Sequence, residues 1–233
     1  MLGGERVAVP RLARNWYHRY VIPDRAFSFT PDGDGDRDND PSRFGTESFY
    51  AALGRAFVAL CAFVPLLFFI ELIDTLTAHM LVTDGGLQPK TLSGLDGIVF
   101  SPFLHASFAH VTANSVPLIM LGTFVLAAGA RRFVYSTIFI AVVGGLAEWF
   151  VGNPRSIVVG ASGVIFGYIG LLFVRGLVER SWWNIAVAVL TGLLFGWQLT
   201  GVLPSVGAQV SWRGHLFGLI SGMVAAILFR RRR

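Results

Sequence analysis

Charge is in short supply in this sequence. Only 14% of its 233 residues are Asp, Glu, Lys or Arg, against about 25% in an ordinary soluble domain. That shortage excludes a fully solvated globular surface. Cysteine is scarcer still: Cys61 stands alone inside an apolar run, so a disulfide framework is excluded. No HExxH occurs, which removes the usual helix-borne zinc protease pattern. His79, His105, His110 and His215 lack recognisable zinc-ligand spacing, so neither a metal nor a cofactor is expected. The elbow motif GxSxG fails because Val164 stands where its last glycine belongs. An aspartyl pair in mid-membrane is missing too. Glu71, Asp74 and Glu148 stand near the ends of apolar segments and are expected to snorkel outward. The N-terminus has no early apolar stretch, so no cleavable signal peptide is expected.

What the sequence does have is long apolar runs, with 54% hydrophobic residues overall. Six such segments lie near 56–76, 109–130, 133–152, 157–175, 183–203 and 211–229. Each is close to the roughly 20 residues that span a bilayer as a helix, the structure that satisfies its own backbone in lipid. The fifth and sixth share one uncharged stretch from Ser181 to Trp212, broken at Pro204, Ser205 and Gly207. The expected fold class is therefore an all-α membrane protein with six transmembrane helices. Residues 1–49 read as a polar, disordered cytosolic tail, most clearly from Asp32 to Pro41. Residues 50–233 read as the membrane domain.

A net charge of +5 and a pI near 10 could suit a nucleic-acid partner, but the arginines sit at segment ends without interleaved aromatics. They read better as orientation signals. With the N-terminus inside, 16 of the 19 basic residues fall on the cytoplasmic side, and only Lys90, Arg155 and Arg213 fall outside. The expected topology is N-in and C-in, in the cell membrane. The outer loop from about Leu81 to Ser101 is half apolar, and part of it suits the membrane interface.

Polar groups in a membrane span are costly and ask for a partner or a job. His110 and Asn114 in the second segment, Ser162 in the fourth and His215 in the sixth all belong to segments running from outside to inside. Ser162 follows Arg155 by seven residues, which at helical rise puts it at most roughly 10 Å below the outer surface. His215 enters two residues past Arg213, and His110 and Asn114 share one helix face at i,i+4 spacing. Three segments thus deliver polar groups to one depth. Gly160, Ala161, Ser162 and Gly163 stand near a helix start, where free N–H groups and the positive dipole end favour a developing oxyanion. His215 is the base available to activate the serine hydroxyl. Gly163 and Gly167 repeat at a spacing of four, as do Gly214, Gly218 and Gly222. Small residues at that period let helices approach closely, which predicts contact between the fourth and sixth segments.

These residues resemble the rhomboid family of intramembrane serine proteases. The resemblance is carried by His105-Ala-Ser-Phe-Ala-His110-Val-Thr-Ala-Asn114, by Gly160-Ala-Ser162-Gly163 and by Gly214-His215-Leu-Phe-Gly218, in that order, and covers about residues 50–229. It implies a six-helix rhomboid-like bundle with Ser162 as nucleophile and His215 as general base. It implies that His110, Asn114 and the Ser162 N–H hold the oxyanion, and that His105 anchors the first outer loop. Implied substrates are single-pass membrane proteins cut in or near their transmembrane helix. Two features depart from the family: no Trp-Arg pair occurs between Leu81 and His105, and Phe166 stands where some members place Tyr. The alternative is a non-enzymatic relative that binds membrane proteins; such relatives lose the serine or the histidine, and this chain keeps both.

Overall fold

A computed structural model describes residues 44–204 and 210–230. The expected disordered tail therefore lies, up to residue 43, outside the described residues, as do Ser205 and Gly207. From Thr46 onward the chain is already committed to helix. The Thr46 hydroxyl accepts from the Phe49 N–H at 3.1 Å and starts α1, Glu47–Leu76. The first helix thus begins nine residues before the apolar run that announces it, because capping chemistry rather than hydropathy fixes a helix start.

After α1 come α2 (Met80–Gly85), a 3-10 turn at Leu92–Gly94, α3 (Gly97–Phe100) and a second 3-10 turn at Ser101–Phe103. The long helices follow: α4 (Phe108–Ala127), α5 (Ala130–Val151), α6 (Ser162–Glu179), α7 (Trp182–Phe195, continued as 3-10 helix over Gly196–Val202) and α8 (Trp212–Leu228). Serine hydroxyls cap three of them, Ser107 on α4, Ser181 on α7 and Ser211 on α8. Among the described residues the β pairing is one isolated bridge, Leu87 with Val158.

Five of these helices are long and apolar enough to cross a membrane: α1, α4, α5, α6 and α7 with its 3-10 continuation. The helix α8 is apolar but has 17 residues. The exterior is apolar too, with Leu66, Phe69, Val116, Ile138, Leu177 and Leu193 all exposed. This distribution suits lipid as the surrounding solvent. The chain is an integral membrane protein.

Among the crossing helices α6 is the most enclosed. Ile165, Tyr168, Ile169, Leu171 and Leu172 are all buried around it, and the Tyr168 hydroxyl meets Thr137 Oγ1 of α5 at 2.8 Å. On one side α6 lies against α8 with almost no side chain between them. A Cβ on Gly218 would collide with the Gly163 backbone, and one on Gly222 with the Gly167 backbone. Gly167 turns its own absent side chain elsewhere, toward Ile140 of α5, so it serves two packings at once. On its other side α8 meets α5, where Gly144 faces Gly218.

Three expectations need correction. Glu71, Asp74 and Glu148 do not snorkel outward: their exposures are 1%, 1% and 3%. Asp74 accepts from the Val82 N–H at 3.0 Å and pairs with His79 Nδ1 at 2.8 Å, while Glu148 accepts the Ser211 hydroxyl. Position along a helix does not reveal the face a carboxyl occupies, and here each faces protein. The helical-rise argument for the depth of Ser162 also fails, because residues 156–161 are not helical and Val158 is paired with Leu87. Finally, the fourth helix begins at Ser162 itself rather than near 157.

Gly218→Ala should destabilise the bundle by about 1–3 kcal/mol, the usual range for overpacking, seen as a lower midpoint in detergent melts. Gly54→Ala, where a Cβ meets nothing within 4 Å, should leave the midpoint unchanged or raise it.

Candidate active site

Ser162 is the first residue of α6, and Ala161 before it supplies no side-chain cap. The N–H groups of that first turn therefore carry the positive end of the helix with no side chain to occupy them. His215 stands in the first turn of α8. Because Gly218, three residues on, rests against the Gly163 backbone, the two helices meet closely at this level. The result is a hydrogen bond of 2.9 Å between Ser162 Oγ and His215 Nε2.

The other imidazole nitrogen decides the direction of that bond. His215 Nδ1 lies 3.0 Å from the Gly201 carbonyl oxygen, an acceptor only, so Nδ1 carries the proton of the neutral ring and Nε2 is left to accept from the Ser162 hydroxyl. Phe166, one turn along α6 from Ser162, stacks on the imidazole with centroids 4.1 Å apart and planes within 10°. Ring packing and two hydrogen bonds hold the histidine, with no carboxylate bonded to it among the described residues. Gly201, in the 3-10 stretch after α7, carries no signal in the sequence that marks it as the partner of His215. A Cβ there would come within 3.1 Å of Nδ1 and 3.0 Å of the Phe166 ring.

His110 and Asn114 bring a second set of polar groups from α4. Gly160 has φ +116°, a region that L side chains avoid, and a Cβ on it would reach His110 Cε1 and Nε2 at 2.7 and 2.8 Å, with Asn114 Nδ2 at 3.5 Å. Both side chains thus crowd the backbone two residues before Ser162. His110 Nδ1 faces the Ala106 N–H at a long 3.5 Å, which favours a proton on Nε2, the nitrogen nearest Gly160. Asn114 is buried, and its Nδ2 has no hydrogen-bond partner among the described residues.

His105 lies beneath this group rather than in it. It is buried, its ring meets that of His110 edge-on at 5.0 Å, and its Nε2 faces the Ala161 N–H at 3.5 Å. Burial, with a smaller contribution from His110, pushes the imidazole down to about 4. It is therefore neutral at ordinary pH, with a lone pair free to accept. Together with the bond from the Gly160 N–H to the Ser101 carbonyl, 2.9 Å, it fixes the turn into Ser162 against the loop between α1 and α4. That loop, which lacks a Trp-Arg pair, is held by Trp149 of α5. The indole N–H donates to the Thr91 carbonyl at 2.8 Å, and the Lys90 N–H donates to the Trp149 carbonyl at 3.0 Å.

Of the residues singled out from the sequence, Ser162, His215, Phe166, Gly163 and Gly218 meet at the α6–α8 contact, and His105, His110, Asn114 and Gly160 gather on the α4 side of it. A helical membrane protein with a serine and a histidine in contact between two of its helices is the class that the fold and the geometry define. The chain matches the Rhomboid domain family over residues 94–232, and it belongs to the rhomboid family. It is similar to an uncharacterized protein of Mycobacterium tuberculosis, 41% identical over 176 residues, or 72% of this chain and 73% of the relative. It is also similar to the rhomboid protease GluP of Bacillus subtilis, 33% identical over 53% of this chain and 24% of that protein. A third relative is the rhomboid protease GlpG of Haemophilus influenzae, 23% identical over 52% of this chain and 62% of that protein.

Gly160→Ala is expected to cost about 1–3 kcal/mol through its left-handed backbone alone, with the collision against His110 added. A thermal melt of the purified variant checks it; an unchanged midpoint would mean that the turn relaxes freely.

Proposed function

We propose that this chain is an intramembrane serine endopeptidase that cuts membrane proteins in or near their transmembrane segments. The observation that carries the reading is the 2.9 Å contact of Ser162 Oγ with an imidazole nitrogen whose ring partner is already bound to a carbonyl. In that state His215 Nε2 takes the hydroxyl proton as Ser162 Oγ attacks a peptide carbonyl. The tetrahedral oxyanion is held by the Ser162 N–H, His110 Nε2–H and Asn114 Nδ2–H. His215 then gives its proton to the leaving amine, and water resolves the acyl-enzyme by the same exchange in reverse. No cofactor enters. The lipid bilayer and a transmembrane substrate are the partners; nucleic acid has no part.

We also propose six spans, with both ends inside and the membrane domain running over residues 50–233, in the cell membrane. The distribution of basic residues supports the orientation. As a sixth span α8 is short, about 26 Å at 1.5 Å per residue against a core of roughly 30 Å. Its place between α5 and α6 supports a span whose ends need not face lipid alone. A reporter fused after Arg233 should read inside, and one inserted near Gly85 outside; the same side for both would sink the six-span arrangement.

The dyad is tested with a fluorophosphonate probe and a model transmembrane substrate. Ser162→Ala and His215→Ala should each abolish turnover, and the double variant should be no worse than either, since both groups serve one step. Asn114→Ala should keep weak, Ser162-dependent turnover, with kcat lower by about 10² to 10³ and substrate binding much less affected. Near wild-type turnover in either dyad variant would remove the mechanism. Full kcat with only a lower melting midpoint would assign Asn114 to structure.

A further inference from the structure

Glu148 has no step in the reaction above, yet its carboxyl is buried near the outer end of α5. Its Oε1 accepts the Ser211 hydroxyl at 2.9 Å. Ser211 is the N-cap of α8: its Oγ accepts from the Gly214 N–H at 3.2 Å, and its carbonyl accepts from the His215 N–H, also at 3.2 Å. A serine hydroxyl has one proton and two lone pairs. With the proton committed to Glu148, a lone pair is turned to the helix, so the cap is aimed by the carboxyl behind it.

The contact is the last of a series along one antiparallel seam. The Ser221 hydroxyl lies 3.5 Å from the Ile140 carbonyl, Gly144 faces Gly218, and Glu148 bonds Ser211. On α5 these positions advance by four residues each, so all three lie on one face. The first two contacts fix the seam's middle by close approach. Among the described residues the third is its only side-chain hydrogen bond at the end that carries His215.

We propose that Glu148 is a positioning residue for the general base: by holding Ser211 it fixes the first turn of α8, and with it the reach of His215 to Ser162. The inference rests on the Ser162–His215 reading of the reaction. It needs only an acceptor at Oε1, which a carboxylate, a carboxylic acid or a carboxamide all supply. Glu148→Gln should therefore preserve what Glu148→Ala destroys.

The test uses the full chain with both substitutions, reading kcat and KM on a model transmembrane substrate. Glu148→Ala should lower kcat roughly 10- to 100-fold, the scale of a slightly misplaced catalytic group, with KM little changed. Glu148→Gln should restore most of that loss. The Glu148→Ala, Ser211→Ala double variant should be no worse than Glu148→Ala, because the two residues form one link. Wild-type kcat in Glu148→Ala with only a lower melting midpoint overturns the proposal, as does a Gln variant as impaired as the Ala variant. Amide hydrogen exchange over residues 212–216 gives a readout independent of turnover. Faster exchange in the Ala but not the Gln variant supports the link, and equal protection in all three proteins overturns it. A wild-type protein with no Ser162-dependent turnover would instead sink the dyad reading, and exchange would still decide the role of Glu148.

Discussion

Everything near Ser162 depends on the backbone contact between α6 and α8. Inside a bilayer two apolar helices gain little from burying side chains against each other, since lipid is as apolar as leucine. What holds them is close packing, and here glycine lets main chain meet main chain: Gly218 on Gly163, Gly222 on Gly167. The same spacing sets the Ser162–His215 contact, because Ser162 is the neighbour of one contact residue and His215 lies three before the other. One methyl group at Gly218 would be felt at the Oγ–Nε2 distance.

A helix held so closely on one side needs a stop on the other, and α5 provides it. Gly144 lets it approach α8, while Glu148 and Trp149 at its end reach out to Ser211 and to the Thr91 carbonyl. The last turn of α5 thus touches both the cap of the histidine-bearing helix and the loop between α1 and α4. That loop is tied in turn to the strand-like segment before Ser162 through the Leu87–Val158 bridge. A single helix end therefore sets the position of three pieces that are far apart in the chain.

The existence of the long helices was legible because lipid imposes a crude and strong pattern: apolar runs near membrane thickness, basic residues between them. The small-residue ladders were legible for a similar reason, since glycine at a spacing of four in an apolar helix has few other uses. Orientation of individual side chains was not. Glu71 and Asp74 do stand in the last turns of α1, which ends at Leu76, but both face protein rather than the exterior. Glu148 is invisible as a partner of Ser211 because 63 residues separate them. Gly201 is invisible as an acceptor because every residue has a carbonyl. Such backbone partners leave no trace in residue type.

Asn114 shows how an apparent fault in the packing fits the proposed reaction. A buried amide donor left unmatched costs a few kcal/mol, and an ordinary core would remove it or give it a carbonyl. Here the Nδ2 group is held beside Gly160, whose φ of +116° keeps the neighbouring space free of a Cβ. A donor already satisfied by the protein would have to break that bond when negative charge develops on the substrate oxygen, and its contribution would largely cancel. A donor kept waiting has nothing to break. Its cost falls on the resting protein and its hydrogen bond forms at the transition state, which lowers the barrier by the difference between the two states rather than by the strength of the bond.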